Sequence, residues 1–207
     1  MRFVLFILLA FFAIFVSSQM RRRGMKGHLV TLSIGPGTLQ LVALVAAIMA
    51  SLQTISLIEA GSVGVVKIFG MVRPEPLMEG INIRNPLADV VMMSIRMRER
   101  REIINIASQD GTPISLEMSV FFRLDPARAP EVLRTIGPGN LYIIRILIPN
   151  FLSVVRGVAA QFEAKAFYTS TEMRDSVSVM IREQLQNATL PHGIIIDGVV
   201  LRNVELP

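Results

Sequence analysis

The sequence predicts an α+β protein with one or two apolar N-terminal helices ahead of a single domain of antiparallel strands, helices packed on one side, and a final strand. Three observations predict this. Residues 39–58 carry no charge. Strand-like segments dominate residues 59–124, whereas helix-like segments dominate residues 125–190. The end of the chain, IIIDGVVLRNVELP, is rich in β-branched residues. Strands and helices that are segregated along a chain are typical of α+β folds.

The N-terminal part contains two apolar segments. Residues 39–58 form a stretch of 20 residues, which suffices to cross a bilayer core of about 30 Å, so we predict a transmembrane helix there. Phe3–Val16 is shorter, and three arginines follow it instead of the small neutral residues of a signal-peptide cleavage site. Residues 1–20 are therefore predicted to form a short or tilted first span. The alternative is that Met20 or Met25 is the true first residue.

The loop between the apolar segments, residues 21–38, is basic. It carries Arg21, Arg22, Arg23 and Lys26. Loops of this kind stay in the cytoplasm, so the helix 39–58 should run outward and place residues 59–207 on the extracytoplasmic side. We expect a bacterial plasma (inner) membrane, with the mitochondrial inner membrane as the alternative. The absence of cysteine is compatible with either compartment.

The charge distribution excludes nucleic acid as a partner. All 16 acidic residues follow residue 58, and 21 − 5 = 16 basic residues do so as well, so the domain itself is formally neutral. The pI of about 10.4 therefore reflects the N-terminal segment. A neutral domain offers no basic face that could neutralise phosphates.

The predicted membrane helix has one small and polar face. Its members recur at helical spacing: Gln40, Ala43, Ala47, Ala50, Ser51 and Thr54. Such faces let helices approach closely in lipid, which favours homo-oligomerisation. The alternative is that alanine is simply common in this segment.

Periodicity predicts the elements of the domain. ISLEMSVFFRL alternates between apolar and polar residues, and the preceding QDGT is an Asp-Gly turn, so a hairpin is expected there. Asp125 and Pro126 should open a short helix that ends at the GPG of residues 137–139. A second helix is predicted within residues 144–162, with an apolar stripe at Ile148, Leu152, Val155, Ala159 and Phe162.

The last helix is marked by a capping box. Thr169 stands three residues before Glu172, and at this spacing each side chain satisfies a free backbone N–H of the first turn. Met173, Val177, Ile181 and Leu185 then recur at i+4, which predicts one buried face. The turn LPHG should stop this helix and lead into the final strand.

Residues with catalytic chemistry are scarce. The chain has no cysteine and two histidines, which lie far apart, and it lacks phosphate-loop and nucleophile-elbow motifs. A triad of His192 with Ser170 or Asp197 is the one arrangement that remains open. We predict no enzyme activity, no metal and no cofactor.

Several ordered segments resemble one family. VRGVAAQFEAKAFYTSTEMRDSVSVMIREQL and GIIIDGVVLRNVELP are similar to the second half of a prohibitin or band 7 (SPFH) domain. Upstream, IEAGSVGVVKIFGMVRPEPLMEGINIRNPLADV and ASQDGTPISLEMSVFFRLDP are similar to its opening strands and its central strand pair. The resemblance spans roughly residues 58–207.

The resemblance implies a function. Proteins of this family are non-enzymatic scaffolds that form rings or cages on membranes, partition membrane lipid, or restrain an FtsH-type membrane protease. A stomatin-like channel regulator is one alternative, although it would place the domain in the cytoplasm, and a lipid- or small-ligand-binding enzyme on the same scaffold is another. The family continues into a coiled coil, and no heptad run is present in these 207 residues. We therefore expect either a fragment or weak assembly through the domain alone.

Overall fold

The structure, a computed structural model, describes residues 54–165, 167 and 171–205. The predicted segments 1–20 and 21–38, and all of the predicted span up to residue 53, lie outside these residues. Within the described ranges, no helix combines the length and the apolar character needed to cross a membrane.

The described elements follow the predicted order of strands, helices and a last strand. The strands are β1 (Ile55–Ile58), β2 (Ser62–Ile68), β3 (Met71–Val72), β4 (Gly80–Ile83), β5 (Ala88–Ser94), β6 (Arg98–Ala107), β7 (Pro113–Leu124) and β8 (Ile194–Glu205). The α-helices are α1 (Ala129–Thr135), α2 (Ile148–Ala159) and α3 (Thr171–Thr189). A π-helical turn (Ile143–Leu147) precedes α2, and 3₁₀ turns lie at Pro126–Arg128 and Leu190–His192. The predicted α+β class is confirmed.

Among the described residues, all strand pairs are antiparallel and form three small sheets. β1 pairs with β4, β2 lies between β3 and β5, and β7 lies between β6 and β8. The last of these sheets carries the core. Alternate residues of β7 are almost completely buried on its inner face: Ile114, Leu116, Met118, Val120, Phe122 and Leu124. The alternation predicted for this strand is confirmed.

The predicted turns are also confirmed. Residues 108–112 close the β6–β7 hairpin, and Gly111 has a φ of +77°, which a glycine adopts without steric cost. Asp125 accepts a hydrogen bond from the Ala127 backbone N–H at 3.0 Å and so caps the 3₁₀ turn that leads into α1.

Helices α2 and α3 pack on the inner face of the β6–β7–β8 sheet. Val177, Ile181 and Leu185 of α3 are buried, as predicted, whereas Met173 in the first turn of the helix is exposed. The stripe predicted for the preceding helix is partly wrong, because Ile148 and Leu152 are half-buried and Phe162 lies beyond the end of α2. Pro149 has no N–H to donate, and the π turn before it holds one extra residue. The buried face therefore falls on another set of residues: Leu147, Phe151, Val155, Val158 and Ala159.

The predicted end of the membrane helix is wrong. Ile55–Ile58 form β1, and the Arg84 backbone N–H donates to the Thr54 carbonyl at 2.8 Å, which continues the pairing of β1 with β4. These residues are apolar enough to prolong the span, but their backbone groups bond to another strand instead of to their own helical turn. Thr54 therefore belongs to the start of the domain and not to a helix face.

Replacing Gly64 tests whether β1 packs on β2. An added Cβ at Gly64 would lie 2.7 Å from Ile58 Cδ1 and 2.9 Å from Val90 Cγ1. Gly64→Ala should therefore lower the free energy of unfolding by about 1–3 kcal/mol, because the packed side chains of Ile58 on β1 and Val90 on β5 have to shift to admit the added methyl group. Gly198→Ala is the matched control in β8, since its added Cβ would have its nearest neighbour at 3.8 Å. Thermal unfolding of the full-length chain in detergent measures both variants, and equal stability of the two would contradict the packing of β1 on β2.

Candidate functional site

Catalytic groups do not converge among the described residues. No three of the described acidic and histidine side chains are placed to hold a metal ion. His192 ends the 3₁₀ turn after α3, while the Asp197 carboxylate lies 3.2 Å from Arg123 Nε. No hydrogen bond joins His192 to Asp197 in the described structure, and Ser170 lies outside it. The described residues therefore do not supply the contact between histidine and aspartate that such a triad requires.

The ribbon formed by β1 and β4 has inverted polarity: most of its apolar side chains are exposed, and its polar side chains are half-buried. Its exposed face carries four large aliphatic side chains that face one another across the pair, Ile55 with Ile83 and Leu57 with Ile81. They are 53% to 82% exposed. The half-buried positions of the ribbon include Ser56 and Asn82 instead. An exposed and contiguous apolar patch of this kind marks a surface that contacts another apolar phase.

A strained turn carries a second exposed apolar group. Phe69 and Gly70 connect β2 to β3 as a two-residue hairpin, with φ of +49° and +87°. Turns with two positive φ values normally hold Asn-Gly, because a bulky side chain is strained in that region. The Phe69 side chain is 82% exposed, so burial within the domain does not offset this strain.

The ribbon and the strained turn lie at the same end of the domain. Ile55, the start of β1, pairs with Ile83. After a four-residue connection the chain reaches Ala88, which pairs with Ile68 immediately before Phe69. The first described residue, Thr54, is at this end as well. We call this region the apolar end: Ile55, Leu57, Phe69, Met71, Ile81, Ile83 and Leu87.

The outer face of the β6–β7–β8 sheet is polar and tightly connected. Ser119 is fully buried at its centre and donates to Glu99 Oε1 at 2.7 Å. Arg202 donates through Nε to Ser119 at 2.6 Å and through Nη2 to Glu99 at 2.7 Å. Arg101 lies 3.8 Å from Glu99 and 3.4 Å from Glu117. This network joins all three strands.

The same hydrogen bonds set the ionisation of Glu99. The Ser119 hydroxyl contributes most, followed by Arg202, and together they hold the pKa of Glu99 below its ordinary value of 4.5. The ionised carboxylate is therefore the form that the folded sheet favours.

The tip of the β6–β7 hairpin is tied to the segment that precedes α3. The Asp110 carboxylate accepts hydrogen bonds from the Ser108 and Thr112 hydroxyls and from the Ala164 N–H. The Gln109 N–H also donates to the Phe162 carbonyl at 2.9 Å. The bond from Ser108 is the main reason that the pKa of Asp110 lies below its usual range. Asp110 thus fixes the connection between α2 and α3.

A buried tyrosine closes the other side of the core. Tyr142 meets Phe122 edge to face, with ring centroids 6.5 Å apart. Burial raises the pKa of Tyr142, and the nearby Arg98 opposes this shift. Arg98 also donates to Asn140 Oδ1 at 2.7 Å. The hydroxyl is therefore held neutral inside a structural contact.

Most of the predicted site residues lie outside the described ranges. These are Gln40, Ala43, Ala47, Ala50 and Ser51 of the membrane-helix face, Arg21, Arg22, Arg23 and Lys26 of the basic loop, and Thr169 of the capping box. Glu172 lies exposed in the first turn of α3, and the capping box that it was predicted to form with Thr169 stays a prediction.

Sequence reasoning missed the apolar end. A signal was present, because Ile55 and Leu57 in ISLI and Ile81 and Ile83 in GINI stand two residues apart, and the pair FG lies between two apolar strands. The pattern has the period of strands. However, ISLI also continues the uncharged run that precedes it, so its apolar residues fit the end of a membrane helix equally well.

Comparisons with known proteins agree with this architecture. Residues 56–207 match the profile described as "SPFH domain / Band 7 family". A protein named Prohibitin-2 from Colletotrichum higginsianum is 32% identical over 104 residues, which are 48% of this chain and 32% of the relative. Prohibitin-2 from Schizosaccharomyces pombe is 32% identical over 105 residues, 49% of this chain and 35% of the relative. The chain thus matches about a third of the length of these curated relatives.

Replacing Phe69 tests the strain in the turn. Phe69→Asn should raise the free energy of unfolding by about 1 kcal/mol, because asparagine tolerates the left-handed region. Met71→Asn is the control: it removes a similarly exposed apolar side chain, and Met71 has no positive φ. Chemical denaturation of the full-length chain in detergent compares the two, and a loss of stability in Phe69→Asn would show that Phe69 packs within the domain.

Replacing Glu99 tests the polar network through pH. Because the folded state lowers the pKa of Glu99, its ionised form stabilises the fold above pH 4.5, and this contribution is lost as the pH falls below that value. Glu99→Gln should therefore melt at a lower temperature than the parent at pH 7, and the gap should narrow in acid. Glu183→Gln, at an exposed α3 position without a hydrogen bond or ion pair to a described residue, should follow the parent throughout. Parallel melting curves for the parent and Glu99→Gln at all pH values would rule out the network as a source of stability.

Proposed function

The chain belongs to the SPFH domain / Band 7 family, and from this premise we propose that it is a membrane-anchored scaffold of the prohibitin type, which acts by contact and not by catalysis. It assembles with copies of itself on the membrane and organises lipid there or regulates an FtsH-type membrane protease. The relatives named Prohibitin-2 and the scarcity of catalytic groups in the sequence support this proposal.

The inverted ribbon is the observation that carries the membrane part of the proposal. A two-stranded ribbon is marginally stable in water, and exposing four aliphatic side chains on it adds a further cost. At a bilayer interface the same side chains would leave water. The ribbon begins at Ile55, inside the end of the uncharged stretch of residues 39–58. We propose a membrane helix for the residues before Ile55, and this anchor would hold the ribbon at the membrane surface.

The side of the membrane follows from the basic loop. We place Arg21, Arg22, Arg23 and Lys26 in the cytoplasm, so the domain lies on the extracytoplasmic side of a bacterial inner membrane or, alternatively, in the mitochondrial intermembrane space. Assembly would use the small face of the membrane helix from Gln40 to Ser51 together with the domain. A channel regulator with a cytoplasmic domain would require the opposite orientation.

The proposal is tested by measuring the depth of single positions. Because the chain has no cysteine, Ile81→Cys gives a unique attachment site for an environment-sensitive fluorophore. In vesicles that contain the full-length chain, this fluorophore should be shifted to the blue and quenched by spin-labelled lipid. Ile103→Cys is the matched control, because Ile103 is also exposed but lies on the β6–β7–β8 sheet. Equal quenching at both positions, or none at Ile81, would contradict the membrane contact.

Assembly is measured separately by the native mass of the detergent-solubilised full-length chain. We expect a large ring-like oligomer in negative-stain images. A monomer would contradict the scaffold, whatever the depth measurement shows. Protease cleavage of intact spheroplasts from outside tests the side on which the domain lies.

A further inference from the structure

A groove lies between the β2–β3 hairpin and helix α1. It consists of two adjoining cavities of about 400 and 590 Å³, which share Val72 and Arg134 in their walls. Val72, Val91 and Leu133 supply an apolar floor. Gly70 and Met71 line the outer end, so the groove opens beside Phe69 at the apolar end of the domain.

Three cationic side chains surround this floor. Lys67, Arg73 and Arg134 line the groove, against the single carboxylate of Glu131. Asp89 is opposite Lys67 in the β2–β5 pairing. None of the three cations forms an ion pair or a side-chain hydrogen bond with any residue that the structure describes.

Most of the other described arginines have partners, although Arg156, Arg174 and Arg182 on α2 and α3 also lack an ion pair or side-chain hydrogen bond to a described residue. Arg100, Arg101, Arg123 and Arg202 form ion pairs with carboxylates. Arg84, Arg96, Arg128 and Arg145 donate to backbone carbonyls. The groove therefore concentrates cations with unused donors around an apolar floor, a combination that fits an anionic amphiphile.

We propose that this groove binds an acidic phospholipid, with Lys67, Arg73 and Arg134 around the headgroup phosphate and the proximal acyl chain on Val72 and Leu133. Arginine binds phosphate oxygens through two parallel N–H donors, while lysine acts as a point charge. The proposal deepens the proposed function by naming the class of lipid, and it rests on that function for its access to a bilayer: contact of the apolar end with lipid places the mouth of the groove at headgroup level.

The test uses the full-length chain in neutral maltoside micelles with a fluorophore on Met71→Cys at the mouth of the groove. The probes are dihexanoyl-phosphatidylglycerol, dihexanoyl-phosphatidylcholine and inorganic phosphate. Phosphatidylglycerol should give a saturable change. Phosphatidylcholine should bind at least about tenfold more weakly, since its headgroup carries no net charge and the cations gain less. Inorganic phosphate should also bind more weakly, since it leaves the apolar floor uncovered.

Two double variants distinguish lipid binding in the groove from nonspecific attraction to positive charge elsewhere on the domain. Arg73→Gln/Arg134→Gln should weaken phosphatidylglycerol binding at least about tenfold, since each basic side chain near an anionic headgroup contributes about fivefold. Arg156→Gln/Arg182→Gln removes the same charge from exposed positions on α2 and α3 and should stay near the parent. Thermal melts of both double variants establish that each is folded.

Three results would overturn the lipid site: equal binding of the two phospholipids, an unchanged Arg73→Gln/Arg134→Gln variant, or equal losses in both double variants. Inorganic phosphate that binds as well as phosphatidylglycerol would show that the groove holds free phosphate and not lipid. The short-chain lipids reach the groove without a bilayer. Their binding can therefore succeed while the depth measurement at Ile81 fails, and the two proposals fail separately.

Discussion

The domain depends on the central strand β7, which is paired on both edges and packed on its inner face. Its inner row excludes water from the helices, while Ser119 on its outer face bonds to Glu99 of β6 and accepts from Arg202 of β8. One strand thus joins an apolar core to a charged network. Burial of the inner row stabilises the fold, but the hydrophobic effect has no preferred direction and does not align the strands. The polar contacts on the other face are directional, and they fix the register of the three strands.

The strand β7 was also the part of the fold most easily predicted from the sequence. The alternation from Ile114 to Leu124, which only Phe121 breaks, has the period of a strand and not of a helix, and the Asp-Gly turn predicts the hairpin that precedes it. The i+4 spacing of Val177, Ile181 and Leu185 likewise has one interpretation. The family resemblance rests on these same segments.

The parts of the fold that the sequence did not predict include segments whose residues fit two different structures equally well. Ile55–Ile58 are apolar whether they continue a membrane helix or form a strand, and only the partner strand 22 or more residues later decides between them. Likewise, Pro149 is tolerated in the first turn of α2, and it does not show that a π turn before it will rotate the following residues. The groove beside α1 could not be predicted at all, because Lys67 and Arg134 meet only through the tertiary fold.

The residues of the polar network lie far apart in the sequence, and this separation affects how the domain folds during synthesis. Arg202 contacts Ser119 across 83 positions of sequence and Glu99 across 103. At about 5–20 residues per second, a ribosome needs roughly four to seventeen seconds to add the segment that separates Ser119 from its arginine. During that interval β7 has one unpaired edge, which is open to strands of neighbouring nascent chains. Pairing of β8 with β7 therefore closes this open edge only when the last described strand has been made.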